Sequence, residues 1–328
     1  MIHPSTRRLS RRAAWLAVPL LAVAGCAQSA ARPTAPDAAA SAHGTQNAQV
    51  SPLGGLTNQS PRQSARLQRA LDMLIATCMR TRSFTFHVPP LPLPPAAAFV
   101  PNAYGLLSVP TASRQGYGIS DGFLLDEKDQ QIGSAPQPGA HKPGFNQALI
   151  GTPAAAKSIP VPGGSRVKFN ANGCSAIAIG RLYGTSWNTV YFAVSTLVFH
   201  IVQQVVSSAA WKNAAKTWSE CVHESYGASF ANPDAAAASV RKTAAAQLAS
   251  LSGAAFAQRL KSVRAGEVRL AVIDARCQAR AGLPAAAAKV QHTMELPYEK
   301  RYAADLSVYA EDMRHATLVT ATLLKQKQ

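Results

Sequence analysis

WNTVYFAVSTLVFHIVQQVVSSAAWKNAAKTWSECVHESY, residues 187–226, decides the fold class. Val190, Val194, Leu197, Ile201, Val205, Trp218, Cys221 and Val222 recur along it at helical spacing. They form one apolar stripe of an α-helical region. Residues 189–202 are apolar enough to suggest a membrane span, but a span needs about 20 apolar residues. Asn188, His200, Gln203 and Gln204 bracket or interrupt the run. The stretch reads as a buried core helix, and the chain as mainly α.

The rest of the second half repeats this character. Asn232-Pro233-Asp234 opens a helix running to about Leu251. A further helix over 265–281 sets Val268, Val272, Ala275 and Cys277 near one face. Pro284 begins a last helical region, broken at Leu296-Pro297, and the terminal helix carries Tyr302, Leu306, Tyr309, Met313, Leu318 and Leu323. No repeat with a fixed period of 20–50 residues occurs.

Toward the N-terminus, Asn172-Gly173-Cys174 leads into SAIAIGRLYG, a short helix with Gly184 as its C-terminal cap. Residues 101–170 are rich in Gly and Pro and predict short strands and loops. They also hold a brief helix near Phe145-Asn146-Gln147-Ala148-Leu149 and a turn at Val161-Pro162-Gly163-Gly164. Five prolines fall within 89–95. They make 84–100 extended, a rigid connector rather than a ligand for an SH3-type groove. Ahead of this irregular insertion, 84–170, Ser60-Pro61 opens a helix in which Leu67, Leu71, Leu74 and Cys78 share a face.

The first 25 residues are of another kind. Arg7, Arg8, Arg11 and Arg12 precede an uncharged run over 13–25, and Val23-Ala24-Gly25-Cys26 reads as a lipobox. Residues 1–25 are therefore a lipoprotein signal peptide. Cleavage before Cys26, with acyl groups such as palmitate on its thiol, would anchor the chain on the extracytoplasmic face of the cell membrane. The arginine pairs leave both the Sec and the twin-arginine export routes open. Residues 26–59, rich in Ala, Ser, Gln, Pro and Thr, predict a disordered tether. Such a chain has an end-to-end distance of roughly 30 Å. It leaves 60–328 as the mainly helical extracytoplasmic domain.

Four cysteines remain: Cys78, Cys174, Cys221 and Cys277. An even number in an exported chain implies two disulfides, with three connectivities. The pairing Cys78 with Cys174 and Cys221 with Cys277 is favoured, because each half then staples its own helices. A metal site built on Cys221 and His223, with His292 and His315, fits no common zinc spacing. No cofactor is implied either.

Without the leader's four arginines, 29 Lys and Arg face 16 Asp and Glu, a net charge of +13. On a tethered protein this suggests anionic lipid heads, acidic wall polymer or a membrane protein as partners. It does not suggest nucleic acid. Scattered basic residues also simply keep a chain soluble, and no run of five or more occurs.

Catalytic patterns are sparse. Gly118-Ile119-Ser120-Asp121-Gly122 matches G-x-S-x-G, but the polar TASRQGY before it is no buried strand. A turn explains it, placing Ser120 in an exposed loop with no His or Lys close by. His141 or His200 would be only a guess as its base. Ser165-Arg166-Val167-Lys168 and Ser239-Val240-Arg241-Lys242 match S-x-x-K without the downstream K-T-G. No H-E-x-x-H, P-loop, dinucleotide fingerprint or EF-hand loop is present. Glu267 and Asp274, seven apart, share a helix face near Cys277. A helix-start charge at Glu267 and a polar contact at Asp274 account for them more simply than a glycosidase pair.

Trp218-Ser219-Glu220-Cys221-Val222-His223-Glu224, Tyr226-Gly227, Asn232-Pro233, Glu267, Asp274 and Cys277, followed by Gly282-Leu283, form a recurring pattern. It resembles the cysteine-paired helical segment of lipoproteins from high-GC actinobacteria. SAIAIGRLYG and Cys78-Met79 are weaker echoes, and Val222 departs from the Met of that pattern. The resemblance covers 218–283 and implies a helical disulfide fold with no particular activity.

The sequence thus predicts a helical bundle stapled by two disulfides, with an irregular Pro/Gly-rich segment and minor β. The function expected is non-enzymatic binding or sensing in the cell envelope, accessory to a membrane transporter. The alternative is a cell-wall-directed serine hydrolase using Ser120.

Overall fold

The computed structural model describes residues 50–89, 94, 99–100, 102–132 and 137–325. The expected signal peptide, Cys26, residues 27–49 of the expected tether and most of the proline run lie outside them. The described chain is mainly helical, with one two-stranded sheet and two disulfides.

Helix α6 (Trp187–Ser207) is the axis. Its buried side chains include Val190, Val194, Leu197, Ile201 and Val205, the stripe read from the sequence. By length and apolarity α6 could cross a membrane; here that stripe packs against α10 (Leu283–Arg301) and α11 (Ala303–Lys325). Behind it, α7 (Ala209–Tyr226) and α8 (Pro233–Leu248) pack on the long α9 (Gly253–Arg280). At the other end, α1 (Pro61–Thr81) lies on α5 (Cys174–Tyr183) and α11.

The disulfides join these layers. Cys78–Cys174 links α1 to α5 and Cys221–Cys277 links α7 to α9. This is the connectivity favoured above, and it follows from which helices pack together, α1 on α5 and α7 on α9. All four cysteines point inward, so each sulfur meets the partner helix in the core.

Several expectations need correction. The 101–170 segment is more regular than its composition suggests. It holds α2 (Val109–Gln115), α3 (Ile119–Ile132) and α4 (Phe145–Ile150), and then β1 (Ala156–Pro160) pairs antiparallel with β2 (Arg166–Asn170) around the 161–164 turn. Ser108 starts α2 by accepting a hydrogen bond from the Thr111 N–H. The fold also begins earlier than the tether boundary at 59. Val50 and Leu53 are buried, Pro52–Gly55 forms a 3-10 turn, and Gln291 donates to the Ser51 carbonyl.

Residues 187–226 form two helices. Ser208 adopts extended backbone (ψ 151°) and its hydroxyl oxygen accepts from the Trp211 N–H, ending α6 and starting α7. In the other direction, α9 begins twelve residues before the expected start, and α10 continues through Pro297 to Arg301.

Candidate functional site: a closed carboxylate network on helix α9

The α2–α3 turn runs Gly116-Tyr117-Gly118; its glycine N–H groups bond to the Ala112 and Gln115 carbonyls, and that of Tyr117 faces α9. An α-helix leaves its first N–H groups without intrahelical partners. At α3 they are satisfied from 150 residues away, by Glu267. Its Oε1 accepts from the N–H of Tyr117 (2.9 Å) and of Ile119 (2.8 Å). Its Oε2 accepts from the N–H of Ser120 (2.9 Å) and from the Ser120 hydroxyl. Glu267 thus caps α3 as an acidic residue of that helix's own first turn would, with the partial positive charge of the helix start facing a full negative one. The approach is close. A Cβ at Gly116, where φ is +60°, would stand 2.7 Å from Glu267 Cγ.

Two turns along α9, Asp274 anchors the second half of the network. Tyr117 Oη donates to its Oδ2 at 2.9 Å. Trp218 Nε1 and Gln278 Nε2 donate to its Oδ1 at 2.7 and 2.9 Å. Burial pushes the Asp274 carboxyl up to about 6 against the pull of these three donors, and burial raises the Tyr117 phenol too. Gln278 passes the chain on, accepting from the Leu107 N–H and donating to the Gly105 carbonyl. One face of α9 therefore holds three separate loop and helix segments. The Cys221–Cys277 bridge fixes α7, and so Trp218, to that same face.

Ser120 is where the sequence reading fails most clearly. It is 2% exposed rather than in an open loop. It stands at the start of α3, preceded by a helix and turn where a nucleophile elbow needs a strand. Its hydroxyl donates to Glu267, and both groups are buried, so neither is open to a substrate from outside. Glu267 is not a helix-start charge of its own helix, since α9 begins at Gly253, but it serves as one for α3. The polar-contact reading of Asp274 holds.

The remaining candidates are scattered. The Ser239 hydroxyl bonds the Ala236 carbonyl, and Ser165 lies in the hairpin turn. His223 Nδ1 pairs with the Ser229 hydroxyl, and His200 lies under Gly163 of the hairpin. Among the described residues, no three His, Cys, Asp or Glu side chains come together as metal ligands. Tyr117 and Gln278 were missed as site members. The seven- and four-residue spacing of Glu267, Asp274 and Gln278 was the available signal; nothing local marks Tyr117.

Open surface exists elsewhere. A cleft of about 450 Å³ between α7 and the start of α8 is lined by Tyr104, Trp211, Lys212, Lys216 and Asp234, and burial raises the Asp234 carboxyl. Comparison with known proteins finds no matching family model, curated protein or solved structure.

Proposed function

We propose that this chain is a membrane-tethered extracytoplasmic lipoprotein with a non-enzymatic binding or sensing role in the cell envelope, accessory to a membrane transporter. The observation that carries the reading is the pairing of the cysteines. Four of the five form two buried bridges. Disulfides persist in oxidising compartments, and their formation leaves Cys26, the lipobox residue, as the one cysteine available for acylation. The preference for binding over turnover is supported by the carboxylate network. The groups best suited to chemistry, Glu267, Asp274 and Ser120, are buried and hydrogen-bonded to one another's segments, which leaves clefts on the outside for ligands.

Mass spectrometry of the membrane fraction tests the anchor. The expected mature N-terminus is an acylated Cys26, and Cys26→Ser leaves the precursor uncleaved and unacylated. An unmodified mature N-terminus in the wild type overturns it. For the second half of the proposal, a fluorophosphonate probe is expected to leave the chain unlabelled. Labelling that disappears in Ser120→Ala would restore the hydrolase.

A further inference from the structure

All 16 Asp and Glu residues lie outside 130–219, a stretch that carries seven Lys and Arg. It contributes α4, the β1–β2 hairpin, α5, α6 and most of α7. In the hairpin, Ile159 is buried and pairs across the ladder with Val167. Side chains alternate along a strand, so Arg166 and Lys168, on either side of Val167, point away from the body of the protein. Lys157, Arg166 and Lys168 are all exposed. Arg166 donates to the hydroxyl and the carbonyl of Ser158, both neutral. Among the described residues, none of the three forms an ion pair. The hairpin therefore presents positive charge that no acid of the fold offsets.

Two large apolar side chains stand at the ends of this basic hairpin. At its base, Ile150 closes α4 with its side chain 58% exposed, and its carbonyl lies against Gly173, just beyond β2. At its tip, Gly163 lies against the His200 ring, and that ring stands edge-on to Phe199, which is 56% exposed. Phe199 is two residues from both Leu197 and Ile201, so it points away from the core stripe of α6.

We infer that the β1–β2 hairpin and the outer face of α6 lie on an anionic lipid bilayer. The two features select that partner together. A soluble polyanion would satisfy the lysines and leave Ile150 and Phe199 in water. A bilayer surface takes both kinds of side chain, the apolar ones entering the headgroup boundary and the basic ones staying level with the anionic heads. The place where the chain enters the fold agrees. Between Cys26 and Val50 lie 23 residues, and an unstructured chain of that length spans roughly 30 Å. Val50 leads straight into the 3-10 turn 52–55, which packs on α6. An anchored Cys26 thus holds α6 near the lipid. That last argument rests on the lipoprotein reading proposed above; the charge and apolarity of the face do not.

The test uses the full mature chain carrying Cys26→Ser, so that no acyl group contributes. Sedimentation with phosphatidylglycerol vesicles should show binding that phosphatidylcholine vesicles do not, and high salt should weaken it. Lys157→Gln with Lys168→Gln weakens it by about tenfold or more, since each lysine at an anionic surface contributes on the order of fivefold. Arg259→Gln with Lys261→Gln removes the same charge from exposed positions on α9 and leaves binding within about twofold. Phe199→Trp puts an indole on the proposed face, and its emission should shift to the blue with phosphatidylglycerol vesicles alone. Binding to neither vesicle, equal binding to both, an equal loss in the α9 variant or an unshifted indole overturns the inference. Retention on polyglutamate without vesicle binding overturns it in favour of a soluble polyanion. Failure of acylation in the native host would leave vesicle binding standing, and failure here would leave the anchor standing.

Discussion

Glu267 brings two carboxylate oxygens to four donors of the α2–α3 turn, and that count makes a specific prediction. In Glu267→Gln one oxygen becomes an NH2 group. The Ser120 hydroxyl can turn to accept from it, but a backbone N–H is left facing a donor. The expected loss is about 2–3 kcal/mol of stability by urea unfolding, the penalty of an unpaired buried group. Asp274 behaves differently. Its carboxyl titrates near 6 in the fold against 3.8 ordinarily, so the folded chain holds that proton more tightly than the unfolded one. Its stabilising contribution is complete below pH 3.8 and is lost as pH rises through about 6. In Asp274→Asn the amide oxygen can serve Trp218 and Gln278 while the amide nitrogen donates to Tyr117. Unfolding curves over this range should show wild type falling relative to Asp274→Asn as pH rises, then running parallel to it above about pH 7.

At the scale of elements, what was legible followed periodicity and caps. The stripe of α6 and the openings Ser60-Pro61 and Asn232-Pro233 are local patterns with local causes. Both capping side chains accept the expected hydrogen bonds, from the Gln63 and Ala235 N–H groups. What was hidden depends on distant partners. Helix α3 has only Asp121 as an acid in its first turn, and its start is capped from α9. No window around Gly118 or Ser120 contains that information. The break at Ser208 was equally faint, because the apolar stripe continues across it from Val205 to Trp218. Ser208→Ala should cost about 1 kcal/mol, measured by thermal unfolding, because the start of α7 loses its cap. Gly116→Ala should cost more than that, since the new Cβ meets Glu267 at 2.7 Å and φ is left-handed.

For the whole molecule, the two bridges close segments of 96 and 56 residues. Constraining the unfolded chain over such loops stabilises by roughly 4–5 kcal/mol each. Reduction should therefore lower the melting temperature on the order of 10 °C per bridge, followed by calorimetry with and without a reductant. Fold class was readable from helical periodicity, and connectivity because pairing neighbours in sequence lets each half of the chain staple its own helices. The polar network was not, because its members lie up to 173 residues apart. The order of the bridges has a consequence in time. The first of the four cysteines pairs with the second, and the third with the fourth. With Cys26 taken up by acylation, a chain exported unfolded and oxidised as it emerges N-terminus first therefore meets each correct partner before any wrong one is present. Its native pairing calls for an oxidase alone, with no reshuffling of mispaired thiols.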